Sequence, residues 1–291
     1  MPPPAHPRRW KVRVRSGQRS LRSERQSAMK LRINHLPEYL IEAALLGTFM
    51  ISACAFTILL EHPALSLRSA IPDPFVRRVL IGLAMGATAI LLIYSPLGRR
   101  SGAHMNPAIT LTFLWLGKIN ARDAAAYVAA QFLGGVSGIL IVAMVAGMLA
   151  GDPAVRFAAT VPGPDGDAVA FGAEVAISFL TMSVVLNSSN RAWLAPYTGL
   201  LCGLLVSSYV IFESPFSGFS QNPARSFASA FGSRQFTALW VYFTAPLLGM
   251  FGAAVLYTRT RGMTQVHCAK LNHAPGSRCI FRCDFGQLRE T

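Results

Sequence analysis

Charged residues are scarce in this sequence. Asp and Glu number only 13 among 291 residues, and charged residues of both signs make up 14% of the chain. Soluble domains carry about 25% charged residues, so this composition excludes an ordinary soluble globular domain. Hydrophobic residues make up 52% of the chain, which favours a protein embedded in lipid.

Cysteine is also rare, with five in the chain. Two of the five fall within apolar stretches, where a small buried residue is the usual finding. The other three, Cys268, Cys279 and Cys283, lie near His267 and His273 in the C-terminal tail. A zinc site is conceivable there, but the spacing matches no standard zinc motif. We therefore predict an unstructured tail over residues 259–291, with no metal and no cofactor.

The first 28 residues lack an apolar core, which excludes a secretory signal peptide. Basic residues dominate this end, so residues 1–37 are predicted to form a disordered arm. Met29 stands just before a short basic stretch and the first apolar stretch, and it is an alternative start of the protein. Mass spectrometry of the native N-terminus would distinguish the two starts.

Six apolar stretches have the length of about twenty residues that a helix needs to cross a bilayer. They lie at residues 39–60, 76–96, 124–150, 171–188, 193–213 and 237–258. Two shorter stretches, 107–116 and 223–232, each begin at a proline, which suits the first turn of a helix. They are too short to span and indicate re-entrant half-helices. The predicted fold is an all-α membrane bundle of six transmembrane helices and two half-helices, over residues 38–258.

Positive charge is distributed unevenly along the chain. If the N-terminal arm is cytoplasmic, 21 of the 27 Lys and Arg residues fall on the cytoplasmic side of the predicted spans. This asymmetry predicts that both termini are cytoplasmic. Nucleic acid is the alternative partner for a basic arm, but the arm has few aromatic residues, so attraction to anionic lipid is favoured. Short loops and the missing signal indicate a bacterial inner membrane.

The tripeptide Asn-Pro-Ala occurs twice, at Asn106-Pro107-Ala108 and at Asn222-Pro223-Ala224. A Ser-Gly pair precedes both asparagines at the same distance, as Ser101-Gly102 and as Ser217-Gly218. Such an internal repeat in a membrane protein predicts two homologous halves, about 38–150 and 171–258, which meet at a shared site.

Each half also begins with an interior glutamate, Glu42 and Glu174. An ionisable group at that depth is costly, so it should face the bundle interior and satisfy a polar partner. We predict that each carboxylate accepts hydrogen bonds from the non-helical backbone that leads into its half-helix. Those amides would otherwise be unpaired in a dry environment.

Three spans per half make the second half enter the membrane from the opposite side. The two half-helices then meet near the midplane with their positive N-termini together. Asn106 and Asn222 would offer amide donors to a narrow path that excludes cations and protons and accepts neutral molecules. A coupled secondary transporter is an alternative, and a dependence of flux on a proton or sodium gradient would favour it. No acid–base pair or metal constellation indicates an enzyme.

At these residues the chain resembles the aquaporin (major intrinsic protein) family. The resemblance covers roughly residues 38–258 and includes both motifs, from Ser101 to Leu111 and from Ser217 to Phe227. It implies one pore per subunit, a homotetramer, and passive conduction of water or of small neutral solutes such as glycerol.

The resemblance also implies a selectivity filter. Arg225 follows the second motif and matches the arginine of the family's narrowest constriction. Val210 stands where strict water channels carry histidine, and Phe219 stands where they have a small residue or cysteine. The fourth position is Met85 or Gly86. This filter is less polar than that of a strict water channel.

Other positions favour water over glycerol. Ser226 stands where glycerol facilitators carry aspartate, and Tyr242 and Phe243 resemble the aromatic pair of water channels. The resemblance gives His104 a structural or pore-lining role ahead of a gating role, and Gln131 is expected to serve packing. Water is therefore the predicted solute, and a glycerol or small-polyol facilitator is the alternative.

Overall fold

The computed structural model describes the backbone of residues 9–273 and 278–289, and side chains from residue 35 onward in those ranges except residues 287 and 289. The chain divides into two units, residues 1–37 and residues 38–291. The backbone of the first unit is helical from Arg9, which differs from the disorder expected from the sequence. Residues 9–36 contain one glycine and no proline, so little in the sequence interrupts a helix. Residues 1–8 of the arm lie outside the described residues.

The described residues form eight longer helices. They are α1 (Arg9–Glu61), α2 (Pro74–Tyr94), α3 (Pro107–Trp115), α4 (Ala121–Ala150), α5 (Asp167–Ser189), α6 (Ala195–Ser217), α7 (Pro223–Ser233) and α8 (Leu239–Arg261). Shorter helical turns lie at Ser66–Ala70, Pro96–Ser101, Arg156–Ala158, Met263–Gln265 and Phe285–Arg289. The α6 segment changes to a π-helical turn at Tyr209–Glu213.

Six of these helices are long and apolar enough to cross a membrane: His35–Glu61 within α1, and all of α2, α4, α5, α6 and α8. The six predicted spans and the all-helical membrane fold are confirmed. The half-helices α3 and α7 have nine and eleven residues and begin at the two motif prolines. Both contact α4 and α8, so they lie inside the bundle rather than against lipid.

Close helix crossings repeat in the two halves. A Cβ atom at Gly134 of α4 would lie 2.1 Å from the carbonyl oxygen of Ala43 in α1. In the second half, a Cβ atom at Gly249 of α8 would lie 2.4 Å from the carbonyl oxygen of Val175 in α5. Only glycine allows the backbones to approach this closely, and small residues are the usual means of packing helices in lipid.

The C-terminal tail differs from the unstructured segment expected from the sequence. Its apolar residues Val266, Leu271 and Phe281 are buried against the end of the bundle near Gly102, which we call the tail-side mouth. Lys270 is also buried, and its ammonium donates hydrogen bonds to the carbonyl oxygens of Arg99 (2.8 Å) and Arg278 (2.6 Å). Burial lowers the pKa of Lys270 from its ordinary value. The tail folds because the bundle supplies partners that its own sequence does not reveal.

Candidate functional site

The loops that precede the two half-helices share one backbone conformation. Each contains three residues with positive φ, in the same order: Gly102, Ala103 and Met105 in the first loop, and Gly218, Phe219 and Gln221 in the second. Four of the six are not glycine, and a left-handed conformation at such residues costs on the order of 1–3 kcal/mol each. The loops therefore need strong external support.

Glu42 supplies that support in the first half. Its Oε1 accepts hydrogen bonds from the Ser101 hydroxyl (2.7 Å) and the backbone N–H of His104 (3.1 Å). Its Oε2 accepts from the backbone N–H of Met105 (2.6 Å) and from Nε2 of Gln131 (2.9 Å). A fully buried carboxylate thus pairs with the backbone amides of a strained loop.

Glu174 accepts the equivalent serine and backbone hydrogen bonds in the second half. Its Oε1 accepts hydrogen bonds from the Ser217 hydroxyl (2.9 Å) and the backbone N–H of Ser220 (2.7 Å). Its Oε2 accepts from the backbone N–H of Gln221 (2.7 Å). The two loops therefore have equivalent anchors on α1 and α5.

Two tyrosines add a second equivalent pair of supports. The Tyr127 hydroxyl donates to the carbonyl oxygen of Ser101 (2.7 Å), and the Tyr242 hydroxyl donates to that of Ser217 (2.6 Å). Sequence analysis considered Tyr242 only as part of an aromatic pair and missed Tyr127. Tyr127 follows Glu42 by 85 residues, whereas Tyr242 follows Glu174 by 68 residues. Because these spacings differ, the repeat alone does not reveal the pair.

The asparagines join the loops to each other. Each Oδ1 caps its own half-helix: Asn106 accepts from the N–H of Ala108 (2.8 Å), and Asn222 from that of Ala224 (3.1 Å). Each Nδ2 crosses to the opposite loop. Asn106 donates to the carbonyl oxygen of Gln221 (2.7 Å), and Asn222 donates to that of Met105 (2.7 Å). Sequence analysis placed the amides at this junction but missed the reciprocal hydrogen bonds.

A narrow cavity of about 100 Å³ lies at this junction. A cavity needs about 10–15 Å³ of such space to hold one water molecule, so this one has room for several. Its polar lining includes Asn106, Asn222 and Thr181, and much of its remaining lining is apolar. Leu271, from the tail, also lines it. The half-helix N-termini and the amide donors thus face a mainly apolar passage.

A wider cavity of about 490 Å³ opens on the other side of the junction. The predicted filter residues Met85, Val210, Phe219 and Arg225 all line it. Gly86, the alternative to Met85, instead packs on α6, where a Cβ atom would lie 1.9 Å from the Ser207 hydroxyl. The geometry therefore favours Met85 over Gly86 as a lining residue.

Arg225 is the charged residue of this predicted filter. Within the part of the chain that the structure describes, one of its guanidinium nitrogens, Nη1, is buried without a hydrogen-bond partner. Ser226 does not line either cavity described above, and its hydroxyl is instead hydrogen-bonded to those of Thr160 (2.6 Å) and Ser220 (2.5 Å). Phe243 lies against Phe132, with ring centroids 5.9 Å apart.

His104 lies at the tail-side end of the narrow cavity. Its ring is stacked between Phe113 and Phe281, with centroids 5.4 and 5.3 Å away. Nε2 donates to the carbonyl oxygen of Ala269 (2.8 Å), and Nδ1 is hydrogen-bonded to the Thr110 hydroxyl (3.0 Å). A loop histidine is thus held by two residues of the tail.

More acidic side chains are buried than the sequence indicates. Besides Glu42 and Glu174, the structure buries Glu38, Asp123 and Glu213. These three stand near the ends of the membrane-crossing segments, where the sequence pattern does not show which other segments cover them. Glu38 accepts a hydrogen bond from Arg100 (3.0 Å), and both oxygens of Glu213 lack a hydrogen-bond partner among the described residues.

Comparison with known proteins gives the family. The sequence profile of the major intrinsic protein family matches residues 33–257, with both half-helices inside the match. The chain belongs to the major intrinsic protein family. Members of this family are channels rather than enzymes, so this major intrinsic protein is a passive membrane channel for water or small neutral solutes.

Relatives of this major intrinsic protein occur in plants. Aquaporin NIP2-3 of Zea mays is 34% identical over 223 residues, which cover 74% of this chain and 70% of the maize protein. A probable NIP-type aquaporin of Nicotiana alata is 32% identical over 183 residues, which cover 62% of this chain and 65% of the tobacco protein. These relatives give no support to the bacterial inner membrane expected from the sequence.

A solved structure has the same fold. The aquaglyceroporin from Plasmodium falciparum superimposes with a TM-score of 0.63 at 21% sequence identity. The match covers 77% of this chain and 95% of that protein. At this level of sequence identity the similarity shows a shared fold, and it does not show which solute the chain conducts.

The loop anchors of this major intrinsic protein lead to a stability prediction. In Glu174→Gln, an amide nitrogen replaces one acceptor oxygen and leaves at least one buried N–H unpaired, which costs about 1–3 kcal/mol. We expect a lower melting temperature in detergent and lower solute permeability. Glu213→Gln is the control, because its carboxylate accepts no hydrogen bond among the described residues. Equal destabilisation by both substitutions would contradict the anchoring role of Glu174.

Proposed function

We propose that the protein conducts water passively and excludes protons and cations at the junction of the half-helices. The observation that carries this proposal is the hydrogen bonding of the two asparagines. An amide NH2 group has two donor hydrogens, and each Nδ2 uses one of them in the cross-loop hydrogen bond. One N–H on each of Asn106 and Asn222 remains for a solute oxygen in the narrow cavity.

Charge exclusion follows from the same geometry. Pro107 and Ala108 begin one half-helix, Pro223 and Ala224 begin the other, and each N-terminus carries about half a positive charge. A cation that enters the cavity loses hydration and meets this positive potential. A water molecule loses little, because the free N–H groups of the two amides donate hydrogen bonds to its oxygen and position it.

We propose that Arg225, Phe219, Val210 and Met85 form the selectivity filter. The guanidinium of Arg225 supplies hydrogen-bond donors, and the other three side chains supply an apolar wall. A small neutral molecule can exchange hydrogen bonds with water for those with Arg225. A cation finds no counter-charge in these four side chains.

Glycerol or another small polyol is the second candidate solute. The apolar wall of Phe219, Val210 and Met85 suits the carbon chain of a polyol, while Arg225 suits its hydroxyls. Ser226 favours water by the resemblance described above. We therefore propose water as the main solute and a small polyol as the alternative.

We also propose a membrane topology, a division of the chain into segments and an oligomeric state. The distribution of Lys and Arg supports cytoplasmic termini, with residues 1–37 as an arm, 38–258 as the channel domain and 259–291 as the tail. The family resemblance supports a homotetramer with one pore in each subunit. Water, the lipid bilayer and other copies of the chain are the partners, and nucleic acid is not.

The assignment to water predicts the outcome of a stopped-flow experiment. Proteoliposomes of the full chain, prepared with a metal chelator, should shrink faster in a sucrose gradient than empty vesicles of the same lipid. In a glycerol gradient, the glycerol permeability obtained from reswelling should be lower than the water permeability of the same vesicles. Water permeability equal to that of empty vesicles would contradict a water channel, and a larger effect on glycerol would favour the polyol alternative.

The filter assignment predicts the effect of one substitution. Phe219→Ala removes an aromatic ring from the wall beside Arg225, so glycerol permeability should rise severalfold at equal protein density. Phe212→Ala is the matched control, because Phe212 lies on α6 with 65% of its surface exposed. Unchanged glycerol flux in Phe219→Ala would show that this ring does not limit passage.

A further inference from the structure

Four potential metal ligands converge in the tail. The Sγ atoms of Cys268, Cys279 and Cys283 and a ring nitrogen of His273 all lie within 4.8 Å of one another. Sγ of Cys268 is 3.6 Å from Sγ of Cys279, and Sγ of Cys283 is 3.2 Å from Nε2 of His273. All three cysteines are free thiols.

These distances suit one tetrahedral ion. Zinc binds thiolate sulfur at about 2.3 Å and imidazole nitrogen at about 2.0 Å, so tetrahedral ligand atoms lie roughly 3.5–3.8 Å apart. The observed separations of 3.2 and 3.6 Å are close to these values. Three sulfurs and one imidazole favour zinc over the hard ions magnesium and calcium.

The surroundings of the cluster also suit a metal. The His273 ring is stacked on Phe285 at a centroid distance of 4.3 Å, which fixes its orientation. Zinc with three thiolates and one neutral imidazole carries one net negative charge. The buried Lys270 ammonium is held by the carbonyl oxygens of Arg99 and Arg278, and Arg278 precedes Cys279 in the chain, so Lys270 is placed to balance that charge.

The ligands stand between residues that hold the tail on the bundle. Beside Cys268, the N–H of His267 donates to the Asn190 side chain (2.8 Å), and the carbonyl of Ala269 accepts from His104 (2.8 Å). Beside Cys283, the N–H of Arg282 donates to the carbonyl oxygen of Lys118 (2.9 Å). An ion bound by the cluster would link the tail segments that make these contacts, so the contacts with both halves of the bundle would form and break together.

The same tail segment reaches the pore. The N–H of Leu271 donates to the carbonyl oxygen of Gly102 (3.1 Å), and its side chain lines the narrow cavity. Leu271 lies between Cys268 and His273 in the sequence, so any ion bound by both would fix its position. An apolar side chain that narrows the mouth of a pore hinders the passage of a column of water.

We propose that Cys268, His273, Cys279 and Cys283 bind one zinc ion, and that the zinc-bound tail holds Leu271 in the tail-side mouth and restricts the pore. This proposal revises the metal-free tail expected from the sequence. Four protein ligands leave no open position, so the site is structural rather than catalytic. The second half of the proposal rests on the proposed channel function, whereas the first half does not.

Metal binding is tested on the full chain in detergent, reduced and stripped of metal. Added Co²⁺ should give the thiolate charge-transfer and d–d bands of a tetrahedral site, at one ion per chain, and Zn²⁺ should abolish them. Cys279→Ser and His273→Ala should weaken or remove these bands. Cys54→Ala and His267→Ala are controls, a buried thiol in α1 and a tail histidine outside the cluster. Bands that persist in Cys279→Ser and His273→Ala, or no bands in the parent protein, would overturn the site.

Tail docking is tested by trypsin, independently of transport. Zn²⁺ should slow cleavage after Arg278 and Arg282 in the parent protein and leave cleavage of Cys279→Ser unchanged. Equal cleavage with and without Zn²⁺ would overturn a role of the ion in holding the tail. A loss of two hydrogen masses in place of bound metal would show a disulfide and also overturn it.

Restriction of the pore is tested in proteoliposomes of the same preparations. Water permeability should be severalfold lower with Zn²⁺ than with chelator, and Cys279→Ser should stay at the higher value in both. Inhibition of Cys279→Ser equal to that of the parent, or no zinc effect despite binding, would overturn the restriction. Permeability absent under every condition would instead contradict the proposed channel function, and the cobalt bands would still report the site.

Discussion

The centre of the pore depends on two hydrogen bonds that cross between its loops. The amide of Asn106 reaches the carbonyl oxygen of Gln221, and the amide of Asn222 reaches that of Met105. Both carbonyls belong to residues in the left-handed conformation, whose N–H groups are bound by buried carboxylates. The two glutamates thus hold the strained loops, the loops present the carbonyls, and the carbonyls fix the asparagines. Pore geometry is in this way coupled to two buried carboxylates that line neither of the cavities described above.

The tail adds a second set of contacts to the same machinery. His104 donates its backbone N–H to Glu42 and its ring N–H to Ala269, so one residue joins the first loop anchor to the tail. Phe281 stacks on the same ring, and Leu271 lines the narrow cavity. Conditions that order or release the tail therefore act directly on the pore lining and on a loop beside the half-helix, without a relay through the bundle.

Sequence and structure agree where the physics is local or repeated. The bilayer sets a minimum span length and a proline sets the first turn, so the spans and half-helices could be predicted within a few residues. The cross-loop hydrogen bonds could not be predicted. The direction of each carbonyl group depends on the backbone angles at Met105 and Gln221, and the sequence does not reveal the positive φ of these two residues. The tail could not be predicted either, because His104 and Ala269 are 165 residues apart. The cluster spacing is irregular because its ligands come from two separate tail segments, 268–273 and 279–283.

The proposed mechanism is that opposed half-helices and crossed asparagines admit water while they exclude charge. The most direct measurement follows water permeability and the decay of a pH gradient in the same chelator-treated proteoliposomes, at several protein densities. The account predicts that water permeability rises with protein density while proton leakage stays at the level of empty vesicles. Proton leakage that rises in proportion to water permeability would contradict it.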